Sequence, residues 1–117
     1  IGVIKNMSEL YPASDAVIHP TIDGTYDMVV LEAMSHKLPV IIVSSVNYCG
    51  FSEHLNNEEA VILNNLKDSQ EISIGIQTLT NQLELRNKIS ENGFKKSQAI
   101  NWKNTTNKTL NAYKKIL

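Results

Sequence analysis

The stretch LPVIIVSS, residues 38–45, decides the fold that this sequence predicts. Its centre is a run of β-branched residues that is apolar on both faces, which is typical of a parallel strand covered by helices on both sides. Short apolar runs at residues 1–4, 16–19 and 59–63 predict three further strands. Helical patterns separate and follow these runs. The alternation predicts βαβ units, and therefore an α/β domain built on a parallel sheet flanked by helices.

The helices are predicted from apolar periodicity. Residues 26–37 read as a helix with Met28, Leu31, Met34 and Leu38 on one apolar face. A short helix precedes it near the start of the chain, with Ser8 as the expected N-cap.

The last third of the chain is predicted to be helical. Its long helical stretches contain Gly93, which is expected to be a weak point. The final stretch has Trp102, Leu110, Tyr113 and Leu117 as candidate inward-facing residues. The C-terminal third therefore adds helices to the sheet and contributes no further strand.

Length and composition describe one ordinary globular domain. The 117 residues suffice for one core, and 42% of them are hydrophobic. Eleven basic and twelve acidic side chains leave a formal charge of −1, which argues against a nucleic-acid partner. No apolar run approaches a membrane span, and no signal peptide is expected. The chain begins at Ile1 inside a strand-like run, so we expect a fragment of a longer protein.

Two loops are expected at the ligand-binding edge of the sheet. Ligands of open parallel sheets bind where strands lead into helices, and residues 19–26 and 44–50 both occupy such positions. The helix after the first loop offers free N–H groups and a positive dipole end to a diphosphate. Gly24 allows close approach of the backbone, and the Glu32 carboxylate could accept both hydroxyls of a ribose.

A plainer interpretation of the same residues stays open. Asp23 and Asp27 could simply cap a helix while Glu32 faces water. In the second loop, Gly50 sits at a turn. Glu53 there is more typical of an acid at a helix start, where the dipole favours it, than of a catalyst.

Several chemistries lose support. Cys49 is the only cysteine, so no disulfide can form within the chain, and a small buried thiol is a simpler interpretation than a nucleophile. His19, His36 and His54 lack the spacing of metal ligands, so no metal is expected. The sequence contains no Gly-x-Ser-x-Gly, Walker-type or Gly-x-Gly-x-x-Gly motif.

Four blocks, in order along nearly the whole chain, resemble the C-terminal domain of the family-4 (group 1) glycosyltransferases, which are retaining enzymes of the GT-B fold. The first two are SELYPASDAVIHPT, similar to pxLYxxADvxvxPS, and VVLEAMSHKLPVI, similar to vvLEAMAxGxPVI. The others are NYCGFSEHL, similar to xxGGxxEhi, and INWKNTTNKTLNAYKKIL, similar to fsWxxxxxxxxxvYxxll. Bacterial lipopolysaccharide-core glucosyltransferases are the most similar subgroup.

The resemblance implies roles for single residues. The family carries Glu-x7-Glu, in which the second glutamate grips the nucleotide ribose and matches Glu32. The first contacts the donor sugar, and Gly24 stands at its position, so Asp23 is the candidate substitute. Asp27 stands where the family has a glycine whose amide faces the diphosphate. The amides of Asp27 and Met28 are therefore the expected diphosphate contacts.

The resemblance also implies a function. A Rossmann-like donor domain, residues 1–100, would bind a nucleotide-diphosphate sugar, with Gly50 and Glu53 in its second loop. The helix of residues 101–117 would cross back to an absent N-terminal domain that binds a saccharide or lipid-linked acceptor, and its apolar face would then be exposed here. The expected enzyme is a hexosyltransferase of bacterial surface polysaccharide or lipopolysaccharide synthesis. It would be cytoplasmic or peripheral to the inner face of the membrane, and would need no cofactor.

Three rival interpretations remain at this point. A non-catalytic relative with the same fold could act as a partner or regulatory subunit, and the departures at Gly24 and Asp27 favour it while Glu32 opposes it. A nucleotide-sugar epimerase of GT-B shape is the second rival, and a plain α/β interaction domain is the third. As a piece of a glycosyltransferase, the isolated fragment is expected to be inactive.

Overall fold

A parallel sheet forms the centre of the molecule. The computed structural model describes residues 2–20, 28–43, 54–65 and 67–117. Three strands lie in these ranges: β1 (Val17–His19), β2 (Val40–Val43) and β3 (Val61–Leu63). They are parallel and ordered β1-β2-β3, with Val17 opposite Val40 and Ile41 opposite Val61. The predicted parallel sheet is confirmed.

Helices make up most of the rest of the described chain. They are α1 (Met7–Leu10), which continues into a 3-10 turn (Tyr11–Ala13), α2 (Met28–Ser35), α3 (Ser69–Asn81), α4 (Leu83–Gln98) and α5 (Trp102–Ile116). Side-chain caps mark where two of the long helices begin. Asp68 accepts the backbone N–H groups of Gln70 and Glu71 at the start of α3, and Asn101 accepts that of Asn104 at the start of α5.

Strand β2 carries the core on both of its faces. All four of its residues are buried. Val40 and Ile42 belong to a cluster with α2, whereas Ile41 and Val43 belong to a second cluster with residues of β3, α3 and α4. Because successive strand residues point to opposite faces, an uninterrupted apolar run is what this position needs. The prediction of a parallel strand covered on both faces is confirmed for Val40–Val43, while residues 44 and 45 lie outside the described residues.

Helix α2 buries a different face from the predicted one. Val30, Ala33 and Met34 are fully buried, while Met28 is half exposed and Leu31 only partly buried. The prediction was right for Met34 and wrong for Met28. Six of the seven residues from 28 to 34 are apolar, so periodicity alone could not choose the inward face; the sheet and α4 choose it.

Gly93 is a packing contact between helices and not a weak point. It lies buried in α4, where α4 crosses α2. A Cβ atom added there would lie 3.2 Å from Cγ of Met34 and 3.4 Å from its Cε. Because glycine has no side chain at this contact, the two helices approach closely.

The start of the chain departs from the prediction. Residues 2–4 form no strand: Gly2 has φ 78° and the Val3 side chain is almost fully exposed. A strand requires a hydrogen-bonded neighbour, and none of the described strands pairs with this segment. Asn6, and not Ser8, caps α1, since its side chain accepts the N–H of Ser8 at 3.2 Å.

Helix α5 presents its apolar residues to solvent. Trp102 is 86% exposed, and Leu110, Tyr113 and Leu117 are at least half exposed. The prediction that these residues face inward is wrong within this chain, and the exposure implied by the family resemblance is found. None of the helices in the described ranges is long and apolar enough to cross a membrane.

Candidate functional site

The three strands end at one edge of the sheet, where the predicted site was placed. His19 at the end of β1 lies opposite Ile42, and Val43 at the end of β2 lies opposite Leu63 at the end of β3. Because the strands are parallel, the segments that follow them all leave from this carboxyl edge. The segment after β1 leads directly into α2.

Two of the predicted site residues lie in the described part of the chain. Met28 is the first residue of α2, and Glu32 lies one turn further along the same helix. The other predicted residues lie outside the described residues: Asp23, Gly24, Asp27, Gly50 and Glu53. The geometry that follows is therefore that of the helix carrying Glu32 and of its neighbours.

Glu32 is held by a tyrosine from a distant part of the chain. The Tyr11 hydroxyl donates a hydrogen bond to Oε2 of Glu32 over 2.9 Å. Tyr11 is 4% exposed and belongs to the core cluster that includes Val30 and Ala33 of α2. Glu32 itself is exposed. A buried, well-packed donor thus reaches the side chain of an acid that faces solvent.

The chemical state of this pair is settled by the environment of the tyrosine. Burial, followed by the hydrogen bond to the Glu32 carboxylate and by its charge, raises the pKa of Tyr11 from 10.0 to about 12. The phenol therefore keeps its proton at neutral pH. Tyr11 is the donor, and the carboxylate is the acceptor.

The C-terminal end of α2 is organised around the backbone of the same glutamate. The Ser35 hydroxyl donates to the carbonyl oxygen of Glu32 over 2.7 Å, and Nδ1 of His36 lies 2.9 Å from that oxygen. The imidazole of His36 packs against the Tyr11 ring, with ring centroids 5.0 Å apart. Both the side chain and the carbonyl of Glu32 therefore have fixed partners.

A cleft adjoins Glu32 on the side of α4 and α5. Its volume is about 290 Å³, and its lining comes from α2, the end of α4 and the two residues before α5: Leu31, Glu32, Ser35, Ser97, Gln98, Ile100 and Asn101. Most of the lining surface is apolar. The cleft leaves space for part of a ligand next to Glu32.

The segment that follows the second predicted loop is tied to α4. Nζ of Lys96 donates to the backbone oxygen of His54 over 3.0 Å and to Oε1 of Glu59 over 3.2 Å. Lys96 and Glu59 are both partly buried, so this ion pair is shielded from water. The interaction connects the chain just after residues 44–53 to a long helix.

The sequence predicts Glu32 as a site residue, and its role stays a prediction; the neighbours of Glu32 are not predicted. The contacts of Tyr11 and Lys96 join residues 21 or more positions apart, and His36 packs on the ring of Tyr11. Tyr11 did lie inside the block SELYPASDAVIHPT, which was the one available signal. Within the described residues, no group of three or more His, Cys, Asp or Glu side chains could hold a metal ion.

Comparisons with known proteins identify the family. The family model described as glycosyl transferases group 1 matches residues 1–96. An uncharacterized glycosyltransferase of Methanocaldococcus jannaschii, MJ1607, is 30% identical over 109 residues, which are 92% of this chain and 27% of that protein. The chain thus spans about a quarter of the length of this curated relative.

Solved structures agree in fold. The C-terminal domain of a group 1 family glycosyl transferase, LpcC of Francisella tularensis, is 28% identical with a TM-score of 0.67, over 81% of this chain and 49% of that one. Sucrose-phosphate synthase of Thermosynechococcus elongatus superposes with a TM-score of 0.76 at 19% identity, over 94% of this chain and 27% of that one. The second similarity concerns the fold alone. The chain belongs to the group 1 glycosyl transferases, and its parallel α/β structure is that of the Rossmann-like C-terminal domain of the GT-B fold.

Proposed function

We propose that this chain is the donor-binding domain of a glycosyltransferase that takes a sugar from a nucleotide-diphosphate donor and transfers it with retention of configuration. The observation that carries the proposal is Glu32: a solvent-facing carboxylate on the helix that follows β1, held in place by Tyr11. A fixed carboxylate at the carboxyl edge of a parallel sheet is suited to accept the two hydroxyls of a ribose.

The remaining roles follow the motif positions. The amides of Asp27 and Met28, at the start of α2, would face the diphosphate, where free N–H groups and the helix dipole favour negative charge. Asp23 is the candidate contact to the donor sugar in place of the glutamate that Gly24 replaces. Gly50 and Glu53 would line the second loop. The leaving group is then stabilised by fixed dipoles and by cations from outside this chain, without a metal.

The proposal extends to the whole enzyme. Residues 1–100 would form the donor domain, and residues 101–117 would pack on a separate domain that binds a saccharide or lipid-linked acceptor. The motif similarity favours a cytoplasmic hexosyltransferase of bacterial surface polysaccharide or lipopolysaccharide synthesis, working at the inner face of the membrane. Residues 1–117 alone would be inactive, because the acceptor site lies elsewhere.

Calorimetric titration of the full-length protein with uridine, guanosine and adenosine diphosphates tests the proposal. We expect one of them to bind, and Glu32→Ala to weaken its binding by about ten- to a hundredfold, the value of one or two hydrogen bonds to a charged group. Glu84→Ala, which removes an exposed glutamate of α4, is the matched control and should leave the affinity unchanged. Equal affinities for the two variants would contradict the role of Glu32.

A non-catalytic relative is the second candidate, because Gly24 and Asp27 stand where the family pattern has a glutamate and a glycine. A protein whose donor site had decayed would give no heat with any of the nucleotides. Binding without measurable sugar transfer to any acceptor would also favour this alternative.

A further inference from the structure

The contact between Tyr11 and Glu32 leaves part of the carboxylate unused. A carboxylate has two oxygens and about four lone-pair directions, and the Tyr11 hydroxyl occupies one of these on Oε2. Among the described residues, Oε1 accepts no hydrogen bond from the protein. As far as the described residues are concerned, one oxygen and part of the other are therefore available on an exposed side chain.

The two partners differ greatly in freedom. Tyr11 is buried, its ring packs against His36, and it has only two side-chain torsions. Glu32 is exposed and has three torsions, so without a partner it would sample several rotamers in water. The hydrogen bond from the packed Tyr11 side chain therefore restricts the rotamers of Glu32.

Resting on the proposed function, we propose that Tyr11 is a positioning residue for the donor site: its hydroxyl holds the Glu32 carboxylate in the orientation that accepts both ribose hydroxyls. Tyr11 does not touch the ligand in this arrangement. It acts by reducing the orientations of Glu32 before the nucleotide arrives, so that less freedom is lost on binding. The ligand class it serves is a nucleotide with a ribose 2′,3′-diol.

The protonation state of the tyrosine supports this role. Its raised pKa, about 12, keeps the phenol protonated at neutral pH. The carboxylate is therefore offered a donor at Oε2, and no described residue competes with a ligand for Oε1 of Glu32. Removal of the Tyr11 hydroxyl should therefore be enough to release the Glu32 side chain from its fixed orientation.

The test compares ribonucleotides with 2′,3′-dideoxynucleotides, whose deoxyribose lacks both hydroxyls. In the full-length protein, we expect Tyr11→Phe to weaken binding of the preferred nucleoside diphosphate by about three- to tenfold, and to leave binding of its 2′,3′-dideoxy analogue nearly unchanged. The preference for ribose over this deoxyribose then falls by the same factor. A tyrosine that only supported the fold would lower both affinities together. Ser73→Ala, which removes a hydroxyl from an exposed position of α3, is the control.

Two further variants complete the design. In a Glu32→Ala background, Tyr11→Phe should have no additional effect on the preference, since the carboxylate it positions is gone. 4-Aminophenylalanine at position 11 restores a donor on the same ring and should restore the preference. If Tyr11→Phe fails to fold, 4-fluorophenylalanine takes its place, because it keeps the ring and a similar volume without a proton.

The outcomes separate this inference from the proposed function. If Glu32→Ala leaves nucleotide affinity unchanged, the proposed function fails together with the inference. If Glu32→Ala removes the preference for ribose while every proton-free variant at position 11 retains it in full, only the role of Tyr11 is refuted. An equal loss of affinity for ribose and deoxyribose ligands would assign Tyr11 to the fold alone.

Discussion

Gly93→Ala is the sharpest test of how α2, the helix that carries Glu32, is held in place. Gly93 is the point at which α4 contacts Met34 of α2, two residues beyond Glu32. The new Cβ would lie 3.2 Å from Cγ of Met34 and 3.4 Å from its Cε, and 3.5 Å from the carbonyl oxygen of Glu59. The first two distances are short for carbon atoms, whereas the third is an ordinary contact.

Two opposing effects set the size of the change. Replacing glycine by alanine inside a helix stabilises it by about 1 kcal/mol. Overpacking a filled core destabilises it by about 1–3 kcal/mol, and Met34 is fully buried, although its unbranched chain can adapt. The net expectation is a loss of about 0–2 kcal/mol in the free energy of unfolding. The accompanying shift of α2 should also weaken nucleotide binding through Glu32.

Urea unfolding followed by far-ultraviolet circular dichroism measures this balance. In a Met34→Ala background both short contacts are absent, so Gly93→Ala should now stabilise by about 1 kcal/mol. The change in the free energy of unfolding caused by Gly93→Ala is therefore expected to be clearly more favourable in the Met34→Ala background than in the wild type. Asn87→Gly and Asn87→Ala, at an exposed position of α4, supply the difference between glycine and alanine without any packing. A full gain of about 1 kcal/mol from Gly93→Ala in the wild-type background would refute the close approach of the helices.

Three further predictions concern single side chains. Lys37 has φ 58°, a backbone conformation that glycine adopts more easily than lysine. In a Glu91→Gln background, where the ion pair between Lys37 and Glu91 is already broken, Lys37→Gly should therefore raise the free energy of unfolding by about 0.5–1 kcal/mol, although the contact with the Phe94 ring is lost. Urea unfolding measures this change. Backbone N–H groups after β3 donate to the Glu71 carboxylate and lower its pKa. The charged carboxylate therefore stabilises the fold above its ordinary pKa of 4.5, and this contribution is lost as the pH falls through the lowered pKa. In unfolding curves measured at decreasing pH, the stability difference between wild type and Glu71→Gln should shrink. The raised pKa of Tyr11 gives a stability contribution with the opposite pH dependence. This contribution is complete below pH 10 and is lost as the pH rises from 10 to about 12. Over that interval the free energy of unfolding of the wild type should fall by up to about 2–3 kcal/mol more than that of Tyr11→Phe.

The central strand could be predicted because its environment is recorded in its composition. Residues 40–43 are buried on both faces, and only an apolar run satisfies both clusters. Residues 2–4 have a similar composition but form no strand, because a strand also needs a neighbour to pair with. Composition indicates that a segment can be a strand, and pairing decides whether it becomes one.

Helix faces were harder to predict for two different reasons. In α2 nearly every residue from 28 to 34 is apolar, so the pattern did not distinguish Met28, which is half exposed, from Met34, which is buried. In α5 the apolar positions are well spaced, yet Trp102 and Tyr113 face solvent. Periodicity identifies an apolar face, but it does not say which surface covers that face.

The sequence predicted where the candidate site lies in the fold, but it did not predict which side chains contact Glu32. Glu32 stood out because it follows a strand, a loop and a helix start, all of which are local features of the sequence. Tyr11 reaches Glu32 through tertiary packing, and no local pattern places a tyrosine 21 residues away against a chosen carboxylate. The left-handed backbone conformation of Lys37 could have been predicted, because the family pattern vvLEAMAxGxPVI has a glycine at this position.

The position of Glu32 is set by contacts with the core. The burial of Val30 and Met34 sets the rotation of α2, Gly93 sets its distance from α4, and Tyr11 sets the orientation of the carboxylate. All three constraints act from residues outside the segment that precedes the helix. The departures from the family pattern at positions 24 and 27 lie in that segment. On the proposed function, a changed loop can therefore alter the contact to the donor sugar, while the ribose contact of Glu32 depends on how the core places α2.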